Sequence, residues 1–244
     1  MRTRTTPTAP PEVDSIRSRP KVTAATVETV PPVKPALPQS DSFGFQPLWP
    51  FGSVTEAVQW QHAGGQGHQP WRLEAAHTAL TFAQDYLGYD EIDRVVSQQV
   101  SGDQAWIGLG TKVVQGAGGA AAVLHLARIG TGPDRPWEVV GSRDSILSIA
   151  VPRYGSKVSS PLTLGGRITG VDESLHVQVL ALGSKRALGE VQGISAGGHR
   201  QPWSVTLPYL SCTSSVITVA VSTGGHLYDV EQFAITGLRT RPSS

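Results

Sequence analysis

Asparagine is absent from this chain of 244 residues, cysteine and methionine occur once each, and only 16% of the residues are charged. The single cysteine, Cys212, excludes an internal disulfide and any zinc site built on several thiolates. In a strand-rich stretch it reads as a small buried hydrophobe. Lys and Arg outnumber Asp and Glu by 20 to 19, and a net charge of +1 offers no field for a nucleic acid or an acidic substrate. No stretch approaches the ~20 apolar residues that cross a bilayer as a helix. The longest weakly polar run, Gly116 to Ala127, is short and interrupted by His125. An apolar leader is also missing at the start, so the expectation is that any export signal or membrane anchor lies outside the chain given. With Met1 as the true start and nothing before it, the chain would be cytoplasmic.

What is present falls into three parts. Residues 1–47 are rich in Pro, Thr, Val and Ser and nearly devoid of aromatics, which predicts a disordered tail or linker with extended polyproline character. Residues 48–146 are expected to form a small α+β domain of two helices and an antiparallel meander. Ser53-Val54-Thr55-Glu56 is a capping box opening a first helix to about Gln61. Leu73, Ala76, Leu80, Ala83 and Leu87 recur at helical steps in a second, with Gly88 placed to end it. The period then changes to two, and strands are expected near 94–100, 104–110, 120–129, 136–141 and 145–151.

Residues 147–239 contain no helical period. Leu175, Val177 and Val179 alternate with Ser174, His176 and Gln178, and Val216 to Val221 is a β-branched run suited to a strand buried on both sides. Gly165-Gly166, Gly183-Ser184, Gly197-Gly198 and Gly224-Gly225 read as turns between short strands, the spacing of an all-β sandwich. Pro70-Trp71, Pro136-Trp137 and Pro202-Trp203 read as element starts that turn a tryptophan into the core.

Several residues of this last part carry a resemblance. Val151-Pro152-Arg153-Tyr154-Gly155, Val158-Ser159-Ser160-Pro161-Leu162 and Gly165-Gly166-Arg167 resemble the opening of the immunoglobulin-like domain of bacterial spore germination proteins. The likeness runs through Glu173 and its Val-rich strand, Trp203 to Leu207, and the Ser222-Thr223-Gly224-Gly225 turn before Val230. It covers roughly residues 147–238. The resemblance implies an immunoglobulin-like sandwich, an extracytoplasmic, envelope-associated setting, and a module without known chemistry. It supplies no functional residues, and residues 48–146 match nothing that commonly precedes such a module.

Motifs that suggest chemistry fail on their context. Gly193-Ile194-Ser195-Ala196-Gly197 spells a nucleophile elbow, but Gly198 to Pro202 cannot open the required helix and no histidine follows Asp229 or Glu231. A loop between sandwich strands is expected there. Ser18-Arg19-Pro20-Lys21 lies in the tail, and the Gly116–Gly119 cluster lacks the Gly-Lys-Ser/Thr of a phosphate loop. His62, His68 and His77 match no zinc spacing, and His199 and His226 follow Gly-Gly pairs expected to be turns. Asp90, Glu91 and Asp93 read as a solvated cap after Gly88, and Asp172-Glu173 as a strand entry. No catalytic, cofactor or metal residues are therefore assigned.

The favoured expectation is a non-enzymatic accessory protein of the bacterial cell envelope. Its sandwich would bind a protein or a wall polymer through an edge or end loops, with no nucleic acid and no cofactor. The alternative is a small-molecule or enzymatic site in residues 48–146, with the sandwich as accessory. A helix pair over a curved sheet can enclose an apolar pocket, which Trp60, Trp106 and His125 would line.

Overall fold

The computed structural model describes residues 43–64, 67–111, 119–224 and 229–241, with the backbone alone for 171–173. Most of the tail expected over residues 1–47 lies outside the described residues. Packing is already established at Gln46, which is buried, donates its amide to Tyr154 Oη at 2.6 Å and accepts from Arg239 Nε at 3.0 Å. Over the described residues the protein is mostly β, with two sheets and two short α-helices.

Helix α1, Val54–His62, is capped by Ser53, whose Oγ accepts from the Glu56 amide at 3.2 Å. Glu56 reaches back to Gly52 N (2.7 Å) rather than to Ser53, so the box closes one residue further out. The second helix is shorter than its pattern. Pro70–Leu73 is a separate 3-10 turn, and Glu74 is extended at φ −112° and ψ 113°. Helix α2 then runs over Ala75–Thr81 and widens into a π turn, Phe82–Tyr86. Gly88 follows at φ +75°, its amide on Gln84 O at 3.1 Å, as a C′ glycine should be.

The first sheet is a meander of four of the five expected strands, in the order β1 (Arg94–Ser101), β2 (Gln104–Gly110), β3 (Ala122–Arg128) and β4 (Trp137–Arg143); the fifth, expected near 145–151, joins the second sheet instead. Ala75, Ala79 and Ala83 let α2 approach closely, and with Phe82 they share one core with Ile107, Leu109, Leu124 and Leu126. The chain before α1 runs beside β4: Leu48 N donates to Val139 O at 3.1 Å, and Val139 N to Trp49 O at 2.8 Å.

Near Ile146 the chain passes into the second sheet. Its strands are β5 (Leu147–Val151), β6 (Lys157–Val158), β7 (Leu162–Leu180), β8 (Gly189–Leu207), β9 (Val216–Gly224) and β10 (Gln232–Thr240). Their order is β5-β7-β9-β10-β6, with β8 along β7; only the β6–β10 pair is parallel. The first half of β7 pairs with β5, and its second half with β9. Leu162, Leu164 and Ile168 nevertheless meet Leu175, Val177 and Val179 in one core, with Trp203, Ile217 and Leu238. The ribbon turns over where its register shifts, between Ile168 and Glu173, and so packs on itself as a sandwich does.

Strands β9 and β10 serve both cores. Ala220, Phe233 and Ile235 face the first, while Ile217, Val219, Val221, Ala234 and Leu238 face the second. This is the two-sided burial read from the β-branched run.

Two of the predicted turns are strands instead. Gly165-Gly166 lies inside β7, where a Cβ on Gly166 would stand 1.8 Å from Ser148 O and one on Gly165 would stand 3.1 Å from Trp203 O. These glycines let neighbouring backbones close in on β7. Gly197-Gly198 lies inside β8, and Gly198 (φ +107°) faces Gly170 at an irregularity. Gly183 (φ +79°) does turn the chain from β7 to β8. Pro202 sits within β8 rather than at its start, on an edge strand that misses no ladder donor. Trp137 and Trp203 are buried, whereas Trp71 is half-buried and stacks on Trp49.

Candidate functional site

The three residues expected to line one pocket occupy two places. Trp106 on β2 and His125 on β3 are direct register partners on the face of the first sheet turned away from α2. Their rings stack at 5.1 Å with 1° between planes. Gln104 Oε1 lies 2.9 Å from His125 Nε2, Phe45 meets the imidazole edge-on at 5.1 Å, and the Arg143 guanidinium lies 5.5 Å from the Trp106 ring. Burial, and then the Arg143 charge, hold His125 below the usual histidine range. Beside it a cleft of about 290 Å³ runs between Phe45, Gly141, Tyr154 and Thr236.

Trp60 stands apart on α1, packed on Phe51 at 5.8 Å. The Arg72 guanidinium lies between three rings, 4.7 Å from Phe51, 5.2 Å from Trp71 and 5.6 Å from Trp60. Close by is Glu138, 0% exposed, whose Oε2 accepts from Phe51 N at 3.1 Å. Its Oε1 has no hydrogen-bond partner among the described residues. Burial pushes this carboxyl well above its usual range, the Phe51 and Trp49 amides opposing it, and burial draws Arg72 down. Between α2 and the sheet, where a pocket was expected, Phe82, Ile107, Leu124 and Leu126 fill the space and are fully buried.

A larger cleft, about 780 Å³, opens between the end of the π turn and the outer face of the second sheet. Its floor follows from strand alternation. Leu175, Val177 and Val179 point into the core, so Ser174, His176 and Gln178 point out. On β9 their partners Gly224, Ser222 and Ala220 share that face. On β8 the register slips between Val191 and Ile194, and Gly193 takes φ +75°, a bulge that brings Gln192 to the imidazole. Gln192 Nε2 lies 3.4 Å from His176 Nε2, and Glu190 Oε2 lies 3.7 Å from the same nitrogen.

The opposite wall carries Leu87, Gly88 and Tyr89. Tyr89 is 5% exposed, and burial pushes its phenol up to about 12, a rise that the Ser222 hydroxyl offsets only in part. Among the described residues Tyr89 Oη and Gln178 Oε1 are buried without a hydrogen-bond partner of ordinary geometry. Two orphaned polar atoms in one cleft leave hydrogen-bonding capacity that a ligand or ordered water would satisfy.

Ser195 of the elbow-like motif lies on β8, exposed, opposite Ser174. That is a flat strand rather than the expected loop, and it is not a strand-to-helix turn. Its first glycine, Gly193, is the bulge residue described above. His199 likewise lies in β8 rather than in a turn, and His226 falls outside the described residues. Cys212 is half-buried, its Sγ 3.8 Å from Ser214 O. Among the described residues no three His, Cys, Asp or Glu side chains gather as metal ligands, and no helix is long and apolar enough to cross a membrane.

No family model matches this chain, and neither a curated protein nor a solved structure matches it. The outward row of Ser174, His176 and Gln178 was visible as alternation. Tyr89 and Ser222 were not, because their approach depends on the packing of distant segments.

Proposed function

We propose that the chain is a non-enzymatic accessory protein of the bacterial cell envelope, acting outside the cytoplasm, whose β-sandwich binds a protein or a wall polymer. The sandwich is read as the immunoglobulin-like type of spore germination proteins, and any membrane association as running through an anchor beyond this chain. The observation that carries the reading is the cleft over β7, β8 and β9: large, polar, and floored by paired strands. Ser195, the one motif residue with nucleophile character in this part, faces solvent from an extended strand, which supports binding over acyl transfer.

The test is retention. Full-length protein added to washed envelopes from the expressing cells is expected to sediment with them and to cross-link there. Free protein in the supernatant at every envelope concentration, with native material recovered in the cytosol, would overturn the proposal. A small-molecule site in residues 48–146 has one observation in its favour, the cleft beside His125, which is lined also by Phe45, Tyr154 and Thr236 from outside that span. At about 290 Å³ it lies at the lower limit for such sites, near ~300 Å³.

A further inference from the structure

We infer that the cleft between Tyr89 and the β7–β8–β9 face is a binding site for an uncharged saccharide, which would make the glycan part of a wall polymer the ligand. The inference rests on the binding-module reading and narrows it.

The donors and acceptors decide the ligand class. Tyr89, Ser174 and Ser222 offer hydroxyls, Gln178 and Gln192 offer amides, and His176 offers an imidazole. Each of these groups both donates and accepts. Sugar hydroxyls have the same dual character, so vicinal hydroxyls can use both functions of an amide. A ligand of carbonyls alone or of ammonium groups alone would leave half of each group idle.

Charge excludes the commonest rival. No Lys or Arg is found among the described residues lining the cleft, and carboxylates in or beside it include Asp229, Glu190 near His176, and Glu91, which accepts from Val230 N at 3.3 Å. A phosphate-rich or nucleic acid chain would meet net negative charge with no guanidinium to receive it. An extended peptide joining the sheet by strand addition needs an edge, whereas the floor here is a face presenting side chains.

The two buried orphans point to a ligand. Tyr89 Oη and Gln178 Oε1 are already desolvated without a hydrogen-bond partner of ordinary geometry, so ligand hydroxyls that reach them gain hydrogen bonds with little further desolvation. Leu87, Val230 and the edge of the Tyr89 ring supply an apolar side for the C–H face of a sugar. Gly88, Gly193 and Gly224 carry no side chain to block the approach.

The experiment is an NMR titration of isotope-labelled full-length protein with three uncharged probes: chitotetraose, cellotetraose and mannotetraose. Shifts are expected for amides of 87–89, 174–178, 190–193 and 222–224 with at least one probe. Tyr89→Phe keeps the ring and removes the hydroxyl, and Gln178→Ala removes the amide. Each should weaken binding by about tenfold, the equivalent of one hydrogen bond, with the melting temperature showing a fold intact. His125→Gln should leave affinity unchanged. Shifts centred on Trp106 and His125, or unchanged affinity in both cleft variants, would overturn the assignment. Silence with all three probes, in protein still retained by envelopes, would overturn the saccharide and leave the binding module standing. Silence together with loss of retention would remove both.

Discussion

The four-stranded sheet is a meander of seven- and eight-residue strands with one face on a helix, whereas the six-stranded sheet is built on two nineteen-residue strands that turn over and pack against themselves. In the meander, stability resides in large side chains between layers. In the ribbon it also depends on places where side chains are missing, because β5 and β8 approach β7 closely at Gly165-Gly166. Removing mass should damage the first, and adding it should damage the second.

Phe82→Ala tests the first half of this contrast. The ring is fully buried in the meander core, and its loss should cost about 4 kcal/mol in urea unfolding. Gly166→Ala tests the second half. One methyl group aimed at Ser148 O should cost about 3 kcal/mol, nearly as much as deleting a phenyl ring. A cost below about 0.5 kcal/mol, the range of an ordinary surface substitution, would break the comparison.

Two titratable groups of the first sheet should also differ in their response to pH. Glu138 keeps its proton in the fold above the 4.5 of an ordinary glutamate, because burial disfavours the charge. The native state then binds more protons than the unfolded one, so this group withdraws stability as pH rises above about 4.5. His125 acts in the opposite sense: its folded value lies below 6.5, so it withdraws stability as pH falls through that value. Denaturation midpoints at pH 5, 7 and 8 should show Glu138→Gln losing the alkaline decline and His125→Gln losing the acid one. Parallel profiles for wild type and both variants would reject these assignments. The smallest effect is expected at Ser53→Ala, where losing the α1 cap should cost about 1 kcal/mol by thermal melting.

The same contrast explains what was legible beforehand. The predicted strands near 94–100 and 104–110 coincide with Arg94–Ser101 and Gln104–Gly110, because alternation and Gly/Asp turns are local signals. The ribbon was harder to read. A glycine looks the same in sequence whether it turns a chain or admits a neighbouring backbone, and only the partner strand distinguishes Gly183 from Gly166. Helix α2 was located but overextended, since Leu73 keeps the helical spacing while Glu74 is extended. Trp106 and His125, expected to line a pocket beneath the helices with Trp60, are instead register partners on the sheet face turned away from α2. Trp60 was grouped with them on residue type alone, and its place is set by Phe51 and Arg72.

Strands β9 and β10 have a consequence for biosynthesis. Ala220, Phe233 and Ile235 complete the core of a sheet whose own last strand ends at Arg143. As the chain emerges from the ribosome, the meander can pair its strands early, but one side of its interior stays open to water until Val216–Thr240 have been delivered. During that interval the growing chain presents an apolar surface that it cannot yet close, and a stall between Arg143 and Val216 would leave a nascent chain suited to chaperone capture.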